Sequence, residues 1–153
     1  MGSPVTYVVR AAVPEDASAV ASLLDELGYP AEPPAVATRM ARLSSSSDGV
    51  LVVDSGGAPV AVATIHLIPL FHRDASVARI TAFVVASHVR RRGVGSALIQ
   101  ACEAWGSARG AERAEVTSSD TRERAHSFYM RQGFEREGLR FTKWLSIPPP
   151  ATG

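Results

Sequence analysis

The chain has 153 residues, about one domain's worth, and can bury roughly two-thirds of the surface its unfolded form exposes. Hydrophobic residues make up 46% and charged residues 20%, and 16 Lys and Arg against 15 Asp and Glu leave a net charge of +1. That balance excludes a global field for nucleic acid or an anionic membrane, and no apolar run reaches the length of a membrane span.

The opening "MGSPVTYVVR" has no basic region followed by an apolar one, so no signal peptide is expected, and the lone Cys102 excludes an internal disulfide framework. Both fit a cytoplasmic protein. "TYVVRAAVPED" reads as a strand running into a helix start, with Pro14 suited to a first turn. Ala17, Val20, Ala21, Leu24 and Leu27 keep helical spacing up to Gly28, the natural stop. "YPAEPP" then reads as a rigid loop, because its prolines oppose helix, and a second helix is expected over Ala35 to Leu43. "SSSSDGV" reads as a flexible turn, and "VLVVD", "SGGAP" and "VAVATIHLI" as a β-hairpin.

The next strand is expected over Val77 to Ala86, then a helix from about Gly93 to Ala108 closed by Gly110. On that helix Val94, Leu98, Ala101, Cys102, Trp105 and Ala108 share an apolar stripe, which makes Cys102 a buried core thiol and not a nucleophile. "RAEVTS" is a strand. "DTRERAHSFYMRQG" is a helix with Asp120 as N-cap, Glu123 three residues on, and Gly133 past its end. Phe134 to Arg136 and "FTKWL" are expected as two last strands, and residues 146–153 as a frayed tail. The order β-α-α-β-β-β-α-β-α-β-β describes one α/β domain over 1–153, a mixed, mostly antiparallel sheet flanked by about four helices. His66, His72, His88 and His126 lack zinc-type spacing, so no metal site is expected.

"HVRRRGVGSAL" puts three arginines and two glycines at a helix start. Amides at such an end carry partial positive charge, and glycine lets an anion approach them without meeting a β-carbon. A dinucleotide fingerprint needs a third glycine after the first strand, and a Walker loop needs a G-K-[ST] ending; neither is present. A glycine-rich, solvated helix start is the plainer alternative.

Arg90-Arg91-Arg92-Gly93-Val94-Gly95, after the apolar "AFVVASHV", resembles the coenzyme-A loop of the GNAT superfamily of N-acetyltransferases. "AHSFYMRQGF", Ala125 to Phe134, resembles that family's A-x-x-F-Y-x-x-x-G-F, in the expected order. The likeness covers about residues 5 to 145, and "LGYP" with "AHSFY" resembles a bacterial branch that includes aminoglycoside-acetyltransferase-like proteins.

The resemblance implies a GNAT fold and acetyl-CoA as co-substrate. Its pyrophosphate would lie on the amides of Arg91, Arg92, Gly93, Val94, Gly95 and Ser96, with Arg90 adjoining, and its pantetheine arm would pair with Phe83, Val84 and Val85. A backbone N–H of Val84 or Val85 would polarise the thioester carbonyl. Tyr129 is the implied acid for the departing thiolate, and a core aromatic is its plainer reading. Arg122 stands where many relatives carry an asparagine; it would contact a phosphate or simply be solvated. The fourth strand, "ARITAFVV", has no carboxylate to act as base; His66 is the candidate, directly or through water, against a satisfied core histidine. Tyr29, Glu32 and Asp25 lie in or beside the expected acceptor loop.

The resemblance therefore implies direct attack by a primary amine on acetyl-CoA in a ternary complex, with a small-molecule amine favoured over a protein. A non-catalytic acyl-CoA-binding module is the alternative, and nucleic acid is disfavoured by the charge balance. Members of the family often pair through their sheets, so a homodimer is a further expectation.

Overall fold

The structure, a computed structural model, describes residues 6–118 and 122–146. It groups into two compact units, Met1–Thr117 and Ser118–Gly153. In the first unit the order is β1 (Tyr7–Ala11), a 3-10 turn (Pro14–Asp16), α1 (Ala17–Leu27), α2 (Pro33–Arg42), β2 (Asp48–Ser55), β3 (Ala58–Pro69) and β4 (Ser76–Val85). A short 3-10 turn, Ser87–Val89, leads to α3 (Val94–Ala108), and β5 (Ala111–Val116) follows. The second unit carries α4 (Glu123–Arg131).

The sheet runs β1-β2-β3-β4-β5, antiparallel except for the β4–β5 pair. A parallel pair needs a long crossover, and α3 supplies it. The β2–β3 hairpin closes on Gly56 and Gly57, at φ 63° and 98°, with the Gly57 N–H donating to Asp54 Oδ1 at 2.7 Å. Val60 to Ala63 are buried without a break, which requires cover on both faces of β3. α1 packs on β3 and β4, and α3 lies across all five strands.

Two glycines let α3 sit close. A Cβ on Gly106 would lie 2.7 Å from that of Ala78, and one on Gly49 would lie 2.9 Å from Trp105 Nε1. Arg10 ties the first turn to the sheet: its guanidinium reaches Asp16 at 2.7 and 2.9 Å and Asp54 at 2.9 Å. Asp16 is buried and also accepts the Val13 N–H, and the Arg10 hydrogen bond holds its carboxyl below the ordinary carboxylate range.

Several expectations need correction. α2 begins at Pro33, not Ala35: Pro33 and Pro34 occupy the first two helical positions, where a missing N–H costs no hydrogen bond. "SSSSDGV" is not all turn, because Asp48 already opens β2. On α3, Ile99 and Gly106 are buried while Ala108 is exposed, so the stripe is rotated from the one expected. Phe134 to Arg136 and "FTKWL" form no strands. A strand exists only where its backbone pairs, and the second unit has no other described strand to receive either segment; Leu139, Phe141 and Leu145 are exposed.

Candidate active site

The β4–β5 ladder ends at Ile80↔Val116, the last residue of β5, whereas the β3–β4 ladder continues to Val85. At the same level β4 carries a bulge: Ile65 faces Ile80 and Thr64 faces Ala82, so Thr81 is the extra residue. Beyond it, strand parity decides which peptides face outward. Ala86 donates its N–H to Val60 O on β3 at 2.8 Å, so Val84 and Ala82 also turn toward β3. Phe83 and Val85 turn the other way, to the side on which β5 pairs with the earlier part of β4. Arg90 Nε reaches the Val85 carbonyl on that side at 3.4 Å.

The arginine–glycine turn follows directly. Arg91 takes φ 66° and Gly93 φ 79°, both in the left-handed region. For an arginine this conformation costs roughly 1–2 kcal/mol, strain held beside a helix start. Gly93 is the N-cap of α3 and makes no side-chain cap; the first intrahelical bond runs from Ala97 N–H to Gly93 O. The amides of the first turn, which includes Val94 and Gly95, have no carbonyl one turn behind them. Arg90, Arg91 and Arg92 are exposed, Gly95 and Ser96 are half-buried, and Val94 is buried as an anchor. Glu26 of α1 braces the approach by accepting the Ser87 N–H at 3.0 Å. Hydrogen bonding from the Ser87 side chain, then from its backbone N–H, lowers the carboxyl's pKa, helped by the nearby Arg90 and His88 charges.

A polar chain crosses the sheet at the bulge. His66 is the register partner of Asp48 on β2 and of Arg79 on β4. Its Nδ1 lies 2.8 Å from Asp48 Oδ1, its Nε2 lies 2.7 Å from Thr81 Oγ1, and Thr81 Oγ1 lies 2.8 Å from Thr64 Oγ1. Asp48 also accepts from Ser45 at 2.9 Å, and the His66 and Ser45 hydrogen bonds lower its pKa. His66 is therefore not an apolar-core residue: its side chain is 22% exposed, and both ring nitrogens are engaged. Sequence reasoning missed Asp48, Thr64 and Thr81. Counting outward from the Gly56-Gly57 turn pairs Asp48 with His66, once the bulge at Val53/Asp54 is allowed for.

In the second unit, Arg122 is the exposed N-cap residue of α4, and the expected cap Asp120 lies outside the described residues. Ala125 and Tyr129 are half-buried on one stripe. The helix closes with Phe134 N–H on Tyr129 O at 3.0 Å and Gly133 N–H on Met130 O at 3.1 Å, with Gly133 at φ 93°. This is a Schellman cap, and the Tyr129 and Phe134 rings, 5.9 Å apart edge to face, supply its apolar contact. The tyrosine–glycine–phenylalanine spacing thus has a capping role of its own. Within the first unit Phe83, Val84 and Val85 lead into the turn of Arg90 to Ser96; Arg122 and Tyr129 belong to the other unit.

Cys102 is fully buried, and burial, with the Glu103 charge behind it, pushes its thiol up to about 12. Such a thiol supplies no thiolate nucleophile at neutral pH. Asp25 and Glu32 line an open groove of about 500 Å³ with Ser18, Ala21, Ser22 and Pro30. Tyr29 is exposed beside it. Among the described residues no group of His, Cys, Asp or Glu is placed to hold a metal, and no helix is long and apolar enough to cross a membrane.

A β4 that outruns β5 and leads to an arginine–glycine helix start fits the acetyltransferase class that the sequence motifs resemble, and the family comparison supports that class. Residues 17–134 match the acetyltransferase (GNAT) family, and the chain belongs to it. It is 32% identical over 89 residues to an aminoalkylphosphonate N-acetyltransferase of Salmonella typhimurium, a match covering 58% of each protein. The chain thus spans little more than half the length of that relative. Among solved structures, an aminoglycoside N-acetyltransferase in complex with CoA superposes with a TM-score of 0.83 at 16% identity, covering 95% of this chain and 99% of the other. A GNAT family acetyltransferase of Staphylococcus aureus superposes at 0.78 and 20% identity, covering 91% and 98%. At these identities the structural likeness speaks for the fold.

Proposed function

We propose that the protein transfers an acetyl group from acetyl-CoA to a primary amine of a small molecule, by direct attack with both substrates bound. The observation that carries this reading is the outer edge of β4, where Phe83 and Val85 turn their peptides away from β3 and which runs straight into the turn of Arg90 to Ser96. An arm bearing amides would pair with that edge as an added strand, and the pyrophosphate would meet the α3 amides and the arginines. Of the two valines only Val85 turns its N–H to that edge, where it would bond the arm on its way to a thioester lying further from the turn.

Holding two reactants in line supplies most of the acceleration for such a reaction, since a thioester is already reactive toward an amine. Tyr129 would protonate the thiolate as it leaves, and Arg122 would sit against the cofactor's polar portion. The acceptor is a small amine, a reading supported by relatives named for an aminoalkylphosphonate and for aminoglycosides. Asp25 and Glu32 supply negative charge for a cationic acceptor.

The test is thiol release from acetyl-CoA across a panel of aminoalkylphosphonates, aminoglycosides and polyamines, with product acetylation checked by mass. Gly95→Asp places a like charge where the phosphates would lie, and should weaken acetyl-CoA binding at least tenfold by calorimetry. Binding without transfer to any amine would mark a non-catalytic acyl-CoA module instead.

A further inference from the structure

We infer that Thr81, His66 and Asp48 form a one-way proton relay, and that the Thr81 hydroxyl is the group that takes the proton from the incoming ammonium. This rests on the acetyltransferase reading above and supplies the base that the fourth strand lacks as a carboxylate.

The direction of the relay follows from donor and acceptor bookkeeping. Asp48 is a carboxylate and can only accept, so the 2.8 Å bond requires a proton on His66 Nδ1. In the neutral ring Nε2 is then an acceptor, and the 2.7 Å bond requires Thr81 to donate its hydroxyl proton to it. With that proton committed, Thr81 must accept from Thr64 across their 2.8 Å contact. A hydroxyl oxygen has two lone pairs, and one remains. Thr81 is exposed, whereas His66 and Asp48 are partly screened. The chain therefore ends, on its open side, in an oxygen polarised by an imidazole and ready to accept an N–H.

Its place in the sheet is equally specific. Thr81 is the bulge residue, one position past the last β4–β5 pair and two before Phe83. It stands where β5 ends and β4 continues, so a thioester carried along the outer edge of β4 from the turn would end beside it. Bulges commonly re-aim a side chain in this way.

Other charges around the ring do not supply a rival path. From β4, Arg79 is the cross-strand neighbour of His66, and Glu115 of β5 holds it at 2.9 Å and Arg113 at 3.1 Å. From α1, Glu26 is committed to Ser87 at the far end of β4, and Asp25 lines the groove with Glu32. α3 covers the face carrying Gly49, Ile65 and Ala78, and its one acidic residue, Glu103, is exposed.

The step balances as follows. The ammonium gives one proton to Thr81 as the Thr81 proton moves to His66 Nε2, leaving an imidazolium beside Asp48. The neutral amine attacks the thioester carbonyl, forming C–N and breaking C–S. A second nitrogen-bound proton is lost as the thiolate gains one to become free thiol. His66 returns its proton to solvent before the next turnover. Thr81 and His66 are catalytic here, and Asp48 is a positioning residue that fixes the tautomer.

The test compares Thr81→Val, Thr81→Ser and Asp48→Asn on the best amine of the panel, with acetyl-CoA affinity and thermal midpoint as controls. Thr81→Val keeps the shape and removes the hydroxyl, and kcat should fall about 10²-fold or more with acetyl-CoA affinity unchanged. Thr81→Ser should retain activity. Asp48→Asn can donate to Nδ1 and so reverse the tautomer; kcat should fall and the acid limb of the kcat/KM profile should shift. Nitrogen NMR should show His66 protonated on Nδ1 in the wild type and on Nε2 in Asp48→Asn. A wild type that acetylates amines but shows a proton on Nε2 of neutral His66, or a folded Thr81→Val variant within twofold of it, overturns the relay alone. A wild type that acetylates no amine overturns the acetyltransferase reading and the relay with it.

Discussion

Gly106→Ala is a severe test of how α3, and with it the arginine–glycine turn, is seated. The added methyl would sit 2.7 Å from the Ala78 Cβ and 3.5 Å from that of Ala111. Carbon atoms rest at about 3.5–4.0 Å, so the helix and β4 must separate by roughly 1 Å. Overpacking of this kind typically costs about 1–3 kcal/mol, while alanine gains about 1 kcal/mol over glycine in helix propensity. The net expectation is a loss of about 1 kcal/mol, or about 2–4 °C in Tm for a protein of this size. In an Ala78→Gly background the obstructing methyl is gone, and the same substitution should stabilise by up to ~1 kcal/mol. Urea unfolding followed by far-UV circular dichroism in both backgrounds reads that change of sign. Displacement of α3 should also weaken acetyl-CoA binding in the single variant and not in the double. If Gly106→Ala stabilises the otherwise unaltered protein, the close approach does not exist.

Cys102→Ala should keep turnover and sequential kinetics while losing about 1 kcal/mol by urea unfolding, as suits a buried thiol pushed up to about 12; ping-pong kinetics would contradict it. The Asp16 carboxyl is held below its ordinary range by Arg10, so its contribution is present above about pH 4 and is lost as pH falls through the depressed value. Asp16→Asn should cost about 1–3 kcal/mol at pH 7 and flatten that acid dependence, read by thermal melts across pH. Tyr129→Phe keeps the ring contact with Phe134, so stability and acetyl-CoA affinity should hold while kcat falls toward the lower part of the 10²–10⁴ range, about 10²-fold. Turnover within twofold of wild type would leave Tyr129 its capping role alone.

Local chemistry made much of this protein legible in the chain itself. The stop of α1 at Gly28, the Gly56-Gly57 hairpin and the start of α3 at Gly93 each follow from glycine's freedom at positive φ, which acts within a few residues. The arginine–glycine turn is contiguous, so both its charge and its backbone shape could be read in order. Cys102 was legible as core because helical period alone places it beside Leu98. What periodicity cannot supply is register. Asp48, His66 and Thr81 come from three strands, and they meet only because β2 pairs with β3 in one alignment and β4 carries one extra residue. A slip of one position would send His66 to the other face. The same limit applies to Phe134–Arg136 and "FTKWL": their residues suit strands, but a strand is a property of two paired backbones, and among the described residues of that unit no strand forms. The choice between Val84 and Val85 was likewise invisible in the chain, because only the hydrogen bond from Ala86 to Val60 settles which peptides of β4 turn toward β3 and which turn outward.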